Sequence, residues 1–235
     1  RVFGPETKTG PYKHQSCLTE LDNGDLYLAY YGGGGEYAES TRVFASRLVK
    51  GSSKWTAPQV IAGNPFKSLG NPVVWQAPDG VVWLFYVTRF GETWSTSRIK
   101  AKISRDGAKT WSDSFLVTLQ DGTMVRNQPI VLSDGDYLLP IYHETGADTE
   151  FTGADSTSRM LRFTPGQTQW REVGVIRSDK GNIQPGVVET SPGNLIAYCR
   201  RCGDYEPTDQ GWTVTASSTD GGKTWTKGTD STFKN

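Results

Sequence analysis

The chain has 235 residues, enough for one sizeable all-β domain or a domain and a half. Its 25 lysines and arginines balance 25 aspartates and glutamates, so no charge excess points to nucleic acid or a membrane surface, and an anionic ligand must be met by local charge. A hydrophobic fraction of 35% with 27 glycines, 12 prolines, 8 tryptophans and 10 tyrosines fits short strands joined by turns and argues against long helices.

Residues 1–13 are polar, carry Gly4, Pro5, Gly10 and Pro11, and read as a lead-in loop. The first unit then offers a strand at Ser16–Leu21, a turn at Asp22-Asn23-Gly24 and a return strand at Asp25–Tyr31. A flexible Gly32-Gly33-Gly34-Gly35-Glu36 loop follows, then strands at Thr41–Leu48 and Lys54–Ile61. The second unit repeats this with Pro72–Gln76, a turn at Asp79-Gly80, Val81–Thr88, Arg98–Ser104 and Ser112–Thr118. The third runs Gln128–Leu132, Asp134-Gly135, Tyr137–His143, Arg159–Phe163 and Trp170–Ile176. The fourth runs Gly186–Glu189, Pro192-Gly193, Leu195–Arg200 and Trp212–Ser217.

Two hairpins share the pattern S-x-D-G-x-K-T-W, at Ser104–Trp111 and Ser218–Trp225. The aspartate can accept hydrogen bonds from its own loop and a glycine supplies a positive φ, so the motif reads as a structural pin, not as chemistry. The equivalent hairpin at Thr164–Trp170 lacks it. Turn glycines at Gly24, Gly80, Gly135 and Gly193 keep phase with tryptophans at Trp55, Trp111, Trp170 and Trp225, a repeat of about 55 residues. That period fits propeller blades. The expected fold is all-β, a β-propeller of four-stranded antiparallel blades. The blades fall at about 14–62, 68–119, 124–177 and 181–228, in a single domain over 1–235.

No apolar run reaches transmembrane length, so no membrane span is expected. The chain begins at Arg1 instead of Met and reads as a processed or trimmed product, so a missing signal peptide carries little information. Cys17, Cys199 and Cys202 lack the further ligands a zinc site needs and read as ordinary thiols or one incidental disulfide; no metal and no cofactor is expected.

In each blade the first two strands form a hairpin around the turn glycine, and their open ends converge on one rim. That offset selects His14, Gln15, Tyr30 and Tyr31 from blade one, and Asn71, Arg89 and Glu92 from blade two. Blade three gives Arg126, Asn127, Tyr142, His143 and Glu144; blade four gives Gln184, Arg200 and Arg201. Loops on the same rim add Glu36, Glu39, Asp148, Glu150, Asp204 and Glu206. Arginines suit bidentate capture of a carboxylate, and nearby carboxylates and tyrosines suit proton transfer or nucleophilic work. Glu189 reads as a solvated strand residue.

At these residues the chain resembles the sialidase (neuraminidase) superfamily of the bacterial BNR/Asp-box type, from about His14 to Trp225. The segment Asn182–Arg200 is similar to the one that carries that family's paired glutamate and one arginine of its carboxylate-binding triad. The resemblance implies a six-bladed sialidase-type propeller of which about four blades are present, with further blades or another chain closing the ring. It implies that Arg200 binds the substrate carboxylate and that Glu36 or Glu39 is the acid/base. Arg126 and Asn127 would contact the glycerol side and ring. Two positions depart from the family: His14 stands for the first triad arginine, and Gln184 stands for the paired glutamate. The implied partner is a glycan with a carboxylate, met outside the cell or in the periplasm.

Two other readings stay open. His14, Tyr142, His143 and Arg159 also resemble the sites of propeller polysaccharide lyases that act on uronates, where an arginine neutralises the carboxylate and Tyr or His removes the C5 proton. Gln184 in place of a glutamate suits a propeller that binds sugar without catalysis, because an amide holds hydroxyls but cannot assist a nucleophile.

Overall fold

The computed structural model describes residue 4 and residues 6–149, 151–203 and 211–235. The expected rim residues Glu150, Asp204 and Glu206 lie outside the described residues. Among those described there is no α-helix, only a 3-10 turn at Trp94–Thr96, and no helix is long and apolar enough to cross a membrane.

Four antiparallel sheets follow one another along the chain. The first holds β1 (Tyr12–Glu20), β2 (Leu26–Gly33), β3 (Arg42–Leu48) and β4 (Gln59–Ala62) in that order. The second holds β5 (Leu69–Gln76), β6 (Val82–Arg89), β7 (Ser97–Ser104) and β8 (Phe115–Leu116). In the third, the inner strand is split into β9 (Thr123–Val125) and β10 (Ile130–Val131); β11 (Tyr137–His143) pairs with both and is followed by β12 (Thr157–Phe163) and β13 (Arg171–Ile176). The fourth holds β14 (Asn182–Ser191), β15 (Asn194–Arg201), β16 (Trp212–Ser218) and β17 (Thr229–Lys234). Strand β17 lies beyond the last element the sequence marked, because Thr229–Lys234 alternates small polar residues and carries little apolar signal. Strand β1 begins inside the expected lead-in loop, at Tyr12.

The chain divides into two compact units, residues 1–92 with 98–119, and residues 93–97 with 120–235. The core of the first joins Leu21, Ala29 and Val43 of sheet one to Leu69, Val74 and Leu84 of sheet two. The core of the second joins Leu138, Met160 and Ile176 of sheet three to Leu195, Ala197 and Val214 of sheet four. Burying apolar area at about 25 cal/mol per Å² is what holds each pair of sheets together.

The turn between the first two strands is the same device in every sheet. Gly24, Gly80, Gly135 and Gly193 take φ of 81°, 81°, 90° and 77°, a region where a Cβ is penalised. The Asp hairpins are equally alike. Asp106 Oδ1 accepts from the amides of Lys109 (3.0 Å) and Thr110 (2.9 Å), and Asp220 Oδ1 from those of Lys223 (3.0 Å) and Thr224 (2.9 Å). Both hairpins lie between the two outermost strands of their sheets.

Glu189 is not merely a solvated strand residue. Its carboxylate accepts from the Ser133 amide (2.7 Å) and hydroxyl (3.0 Å) and from the Gly193 amide (2.8 Å), tying the turn of sheet three to that of sheet four. These bonds hold its carboxyl below the usual range although burial opposes them.

Candidate functional site

The inner strands share an irregularity nine residues before each turn glycine. Gln15, Asn71 and Gln184 sit there with φ of 33°, 45° and 53°, and the pairing register slips at each. Non-glycine residues rarely adopt this backbone, and a bulge of this kind re-aims a side chain. Prolines follow at Pro72 and Pro185 and remove the amide that a continuous ladder would use. In sheet three the same stretch is Arg126-Asn127-Gln128-Pro129, and there the strand breaks altogether. The sequence carried this signal as a constant spacing and as repeated X-Pro pairs.

The candidate residues fall in both compact units, and each unit gathers its own set. In the second unit the centre is Tyr142, at the end of β11 and 1% exposed. Burial pushes its hydroxyl pKa up and the charge of Glu144 adds to this; Arg126, a hydrogen bond from Gln184 and Arg200 pull the other way. Arg126, Tyr142, Glu144, Gln184 and Arg200 therefore form one electrostatic group. Among the described residues the Arg126 side chain makes no hydrogen bond or ion pair, so its donors are open. Asn127 donates its side-chain amide to the Pro185 carbonyl at 2.8 Å, so that nitrogen is already committed.

His143 does not join this group. Adjacent residues of a strand face opposite sides, so Tyr142 and His143 diverge. His143 meets Gln120, whose amide nitrogen is 3.3 Å from its Nε2. Burial lowers the His143 pKa and the neighbouring Arg159 lowers it further. Arg159 is itself bound to the Gln120 carbonyl oxygen (2.7 Å) and to Glu172 (3.2 Å). The set His14, Tyr142, His143 and Arg159 is thus divided: two of its members lie on the face away from Tyr142, and His14 belongs to the other unit.

In the first unit, Tyr12, His14 and Tyr31 form an aromatic cluster, with ring centroids 5.7 Å apart for Tyr12–His14 and 5.6 Å for His14–Tyr31. The Tyr12 hydroxyl donates to Glu36 Oε2 at 2.8 Å. Tyr12 was missed because Pro11 and Gly10 made its stretch look like loop. Glu36 is half-buried in this cluster, whereas Glu39 is exposed. Asn71 is 5% exposed at its bulge. Arg89 is 8% exposed and binds Ser68 Oγ (3.0 Å) and the carbonyls of Gly91 and Tyr37 (both 2.6 Å), which fixes the loop that follows Glu36. Glu92 is exposed.

These sheets, turns and bulges define a sialidase-type β-propeller. A Hadza microbial sialidase, Hz136, superposes with a TM-score of 0.76 at 16% identity, over 96% of this chain and 48% of that one. An intramolecular trans-sialidase from Ruminococcus gnavus, in complex with oseltamivir carboxylate, gives 0.75 at 14%, over 99% and 73%. A polysaccharide lyase, an ulvan lyase bound to GlcA(1-4)Rha3S, gives 0.65 at 13%, over 96% and 57%. The chain spans about half the length of the Hz136 sialidase. No curated protein sequence matches it. The BNR repeat-like domain model matches residues 24–235, and the chain belongs to that family.

Proposed function

We propose that the protein is a carbohydrate-active, sialidase-like glycoside hydrolase that takes a terminal acidic sugar and cleaves an α-glycosidic bond. The observation that carries this reading is the group around Tyr142, where Arg126 and Arg200 both act on one buried hydroxyl. Two guanidinium groups whose charge reaches one buried hydroxyl suit a carboxylate, which a guanidinium can grip with two parallel hydrogen bonds. The open donors of Arg126 and the amide of Gln184 supply the polar contacts that orient a sugar. Within the first unit, Glu36 is preferred over Glu39 as the acid/base candidate, since it is half-buried and oriented by Tyr12, and His14 and Asn71 are that unit's candidate sugar contacts.

Arg200→Ala tests this. On any sialoside it should lower kcat/KM by about 3 kcal/mol, as expected when one partner of a desolvated charge pair is removed. Unchanged kinetics would reject the role.

The lyase reading keeps one supporting observation, the likeness to the ulvan lyase. Elimination leaves a carbon–carbon double bond that absorbs in the ultraviolet, and hydrolysis does not. Sialylated and uronate glycans assayed side by side for free sugar and for unsaturated product separate the two. A non-catalytic binder would release neither and would still be stabilised by sugar.

A further inference from the structure

Arg201 sits beside Arg200 in β15, so the two guanidinium groups leave opposite faces of one strand. Arg201 pairs in register with Asn182, and Arg200 with Ile183, which puts both at the open end of the β14–β15 hairpin. The Arg201 side chain enters a cleft of about 280 Å³ that Ser178, Asp179, Lys180, Lys227 and Asp230 also line. Its Nε is buried, and among the described residues it has no hydrogen-bond partner. Asp179 is engaged by Lys227 at 2.5 Å, and Asp230 makes no ion pair with Arg201. A buried donor of a charged group left without an acceptor is unfavourable unless a ligand completes it. Lys180 is exposed at the same cleft and carries a second positive charge.

We propose that this cleft is a second oxyanion subsite, which takes a sulfate ester or a second carboxylate on the sugar next to the terminal one. The inference rests on the glycan reading for the source of the anion, and on Arg201 alone for the site. It makes the preferred substrate class a glycan with two anionic groups on adjacent residues, one for Arg200 and one for Arg201. The planar fork of Arg201 matches the paired oxygens of either group, and Ser178 offers a hydroxyl donor beside it.

Calorimetric titration with three probes tests this: a glycan with a terminal carboxylate only, the same glycan with a sulfate on the next sugar, and inorganic sulfate. The wild-type protein should bind the doubly charged glycan at least tenfold more tightly than the singly charged one. Arg201→Gln should reduce that ratio to about one, and Lys180→Gln, at an exposed position that cannot unfold the protein, should reduce it in part. A ratio near one in the wild type, or a ratio that survives Arg201→Gln, overturns the proposal. So does Arg201-dependent binding of inorganic sulfate with no gain for the sulfated glycan in a wild type that does bind the singly charged glycan, which would mark a free-anion site. Loss of all glycan binding in Arg200→Ala, with the sulfate response of Arg201 intact, reports on the main site and leaves the subsite standing. If no glycan binds the wild type, Arg201-dependent sulfate binding supports the oxyanion cleft, and its absence overturns it.

Discussion

Arg162 of sheet three donates to the carbonyl oxygen of Gly221, in the Asp hairpin of sheet four, at 3.4 Å. Its Nε is held at 2.5 Å by Asp136, the residue after the turn glycine Gly135. Sheets one and two repeat the arrangement: Arg47 is held by Asp25 at 2.9 Å, after Gly24, and donates to the carbonyl of Gly107 in the first Asp hairpin. The Asp hairpins therefore do more than close themselves. Each presents a glycine carbonyl as a socket for an arginine of the preceding sheet.

Arg162→Ala is expected to lower unfolding stability by about 2 kcal/mol, between the cost for an exposed ion pair and that for a buried one. Its side chain is 14% exposed, which is why a value near zero is not expected. Arg162→Lys should recover little of this, because an ammonium cannot bridge Asp136, Asp134 and Gly221 in one plane. Urea unfolding of the three proteins is the measurement.

The Asp220 carboxyl is held at about 2 by the Thr224 hydroxyl, then by the Thr224 amide, the Ser218 hydroxyl and the Lys223 amide. A carboxyl lowered on folding adds stability that is complete above its unfolded value of 3.8 and vanishes as pH falls through 2. Asp220→Ala should cost about 1–2 kcal/mol at neutral pH, from the hydrogen bonds it removes at an exposed hairpin. The gap between variant and wild type should close between pH 4 and pH 2. A gap that persists in acid would mean the carboxylate is not what holds the hairpin.

The repeat was legible because turn chemistry is local. A glycine at positive φ and an aspartate that caps its own loop leave the same signature wherever they recur, so the four hairpins and both Asp turns could be read from spacing alone. What escaped was set by contacts between sheets. Glu189 looks solvated until the Ser133 amide is placed against it. Strand β17 has no apolar alternation and pairs only because β16 offers an edge. The divergence of Tyr142 and His143 was legible in principle, since neighbours on a strand must face apart. The nine-residue offset of Gln15, Asn71 and Gln184 was present in the sequence too, but only their backbone angles show that it marks a bulge.

Asn127 is expected to act as a positioning residue. Its bond to the Pro185 carbonyl anchors the residue next to Gln184, whose left-handed backbone at φ 53° has a cost that the surroundings must offset. Asn127→Ala should destabilise the protein by about 1 kcal/mol. It should also raise KM for an acidic glycan more than it lowers kcat, because Gln184 and its neighbours lose their fixed aim. A stability loss with unchanged KM would make Asn127 a purely structural clamp.

Tyr142 separates hydrolysis from elimination. Burial, reinforced by Glu144, raises its pKa above the ordinary 10.0 despite Arg126, Gln184 and Arg200, so the hydroxyl is neutral across the physiological range. A tyrosine whose pKa is raised on folding adds stability that is complete below pH 10 and is lost as pH rises beyond it. Tyr142→Phe should therefore unfold with a shallower alkaline loss than the wild type, which isolates this residue from the other buried tyrosines. A neutral hydroxyl bonded to Gln184 can orient a sugar but is a poor base. Tyr142→Phe should then lower kcat/KM on a sialoside by about tenfold, or about 1.4 kcal/mol, and leave the pH profile unchanged in shape. Complete loss of activity, together with an unsaturated product from a uronate glycan in the wild type, would make Tyr142 the proton acceptor and the protein a lyase.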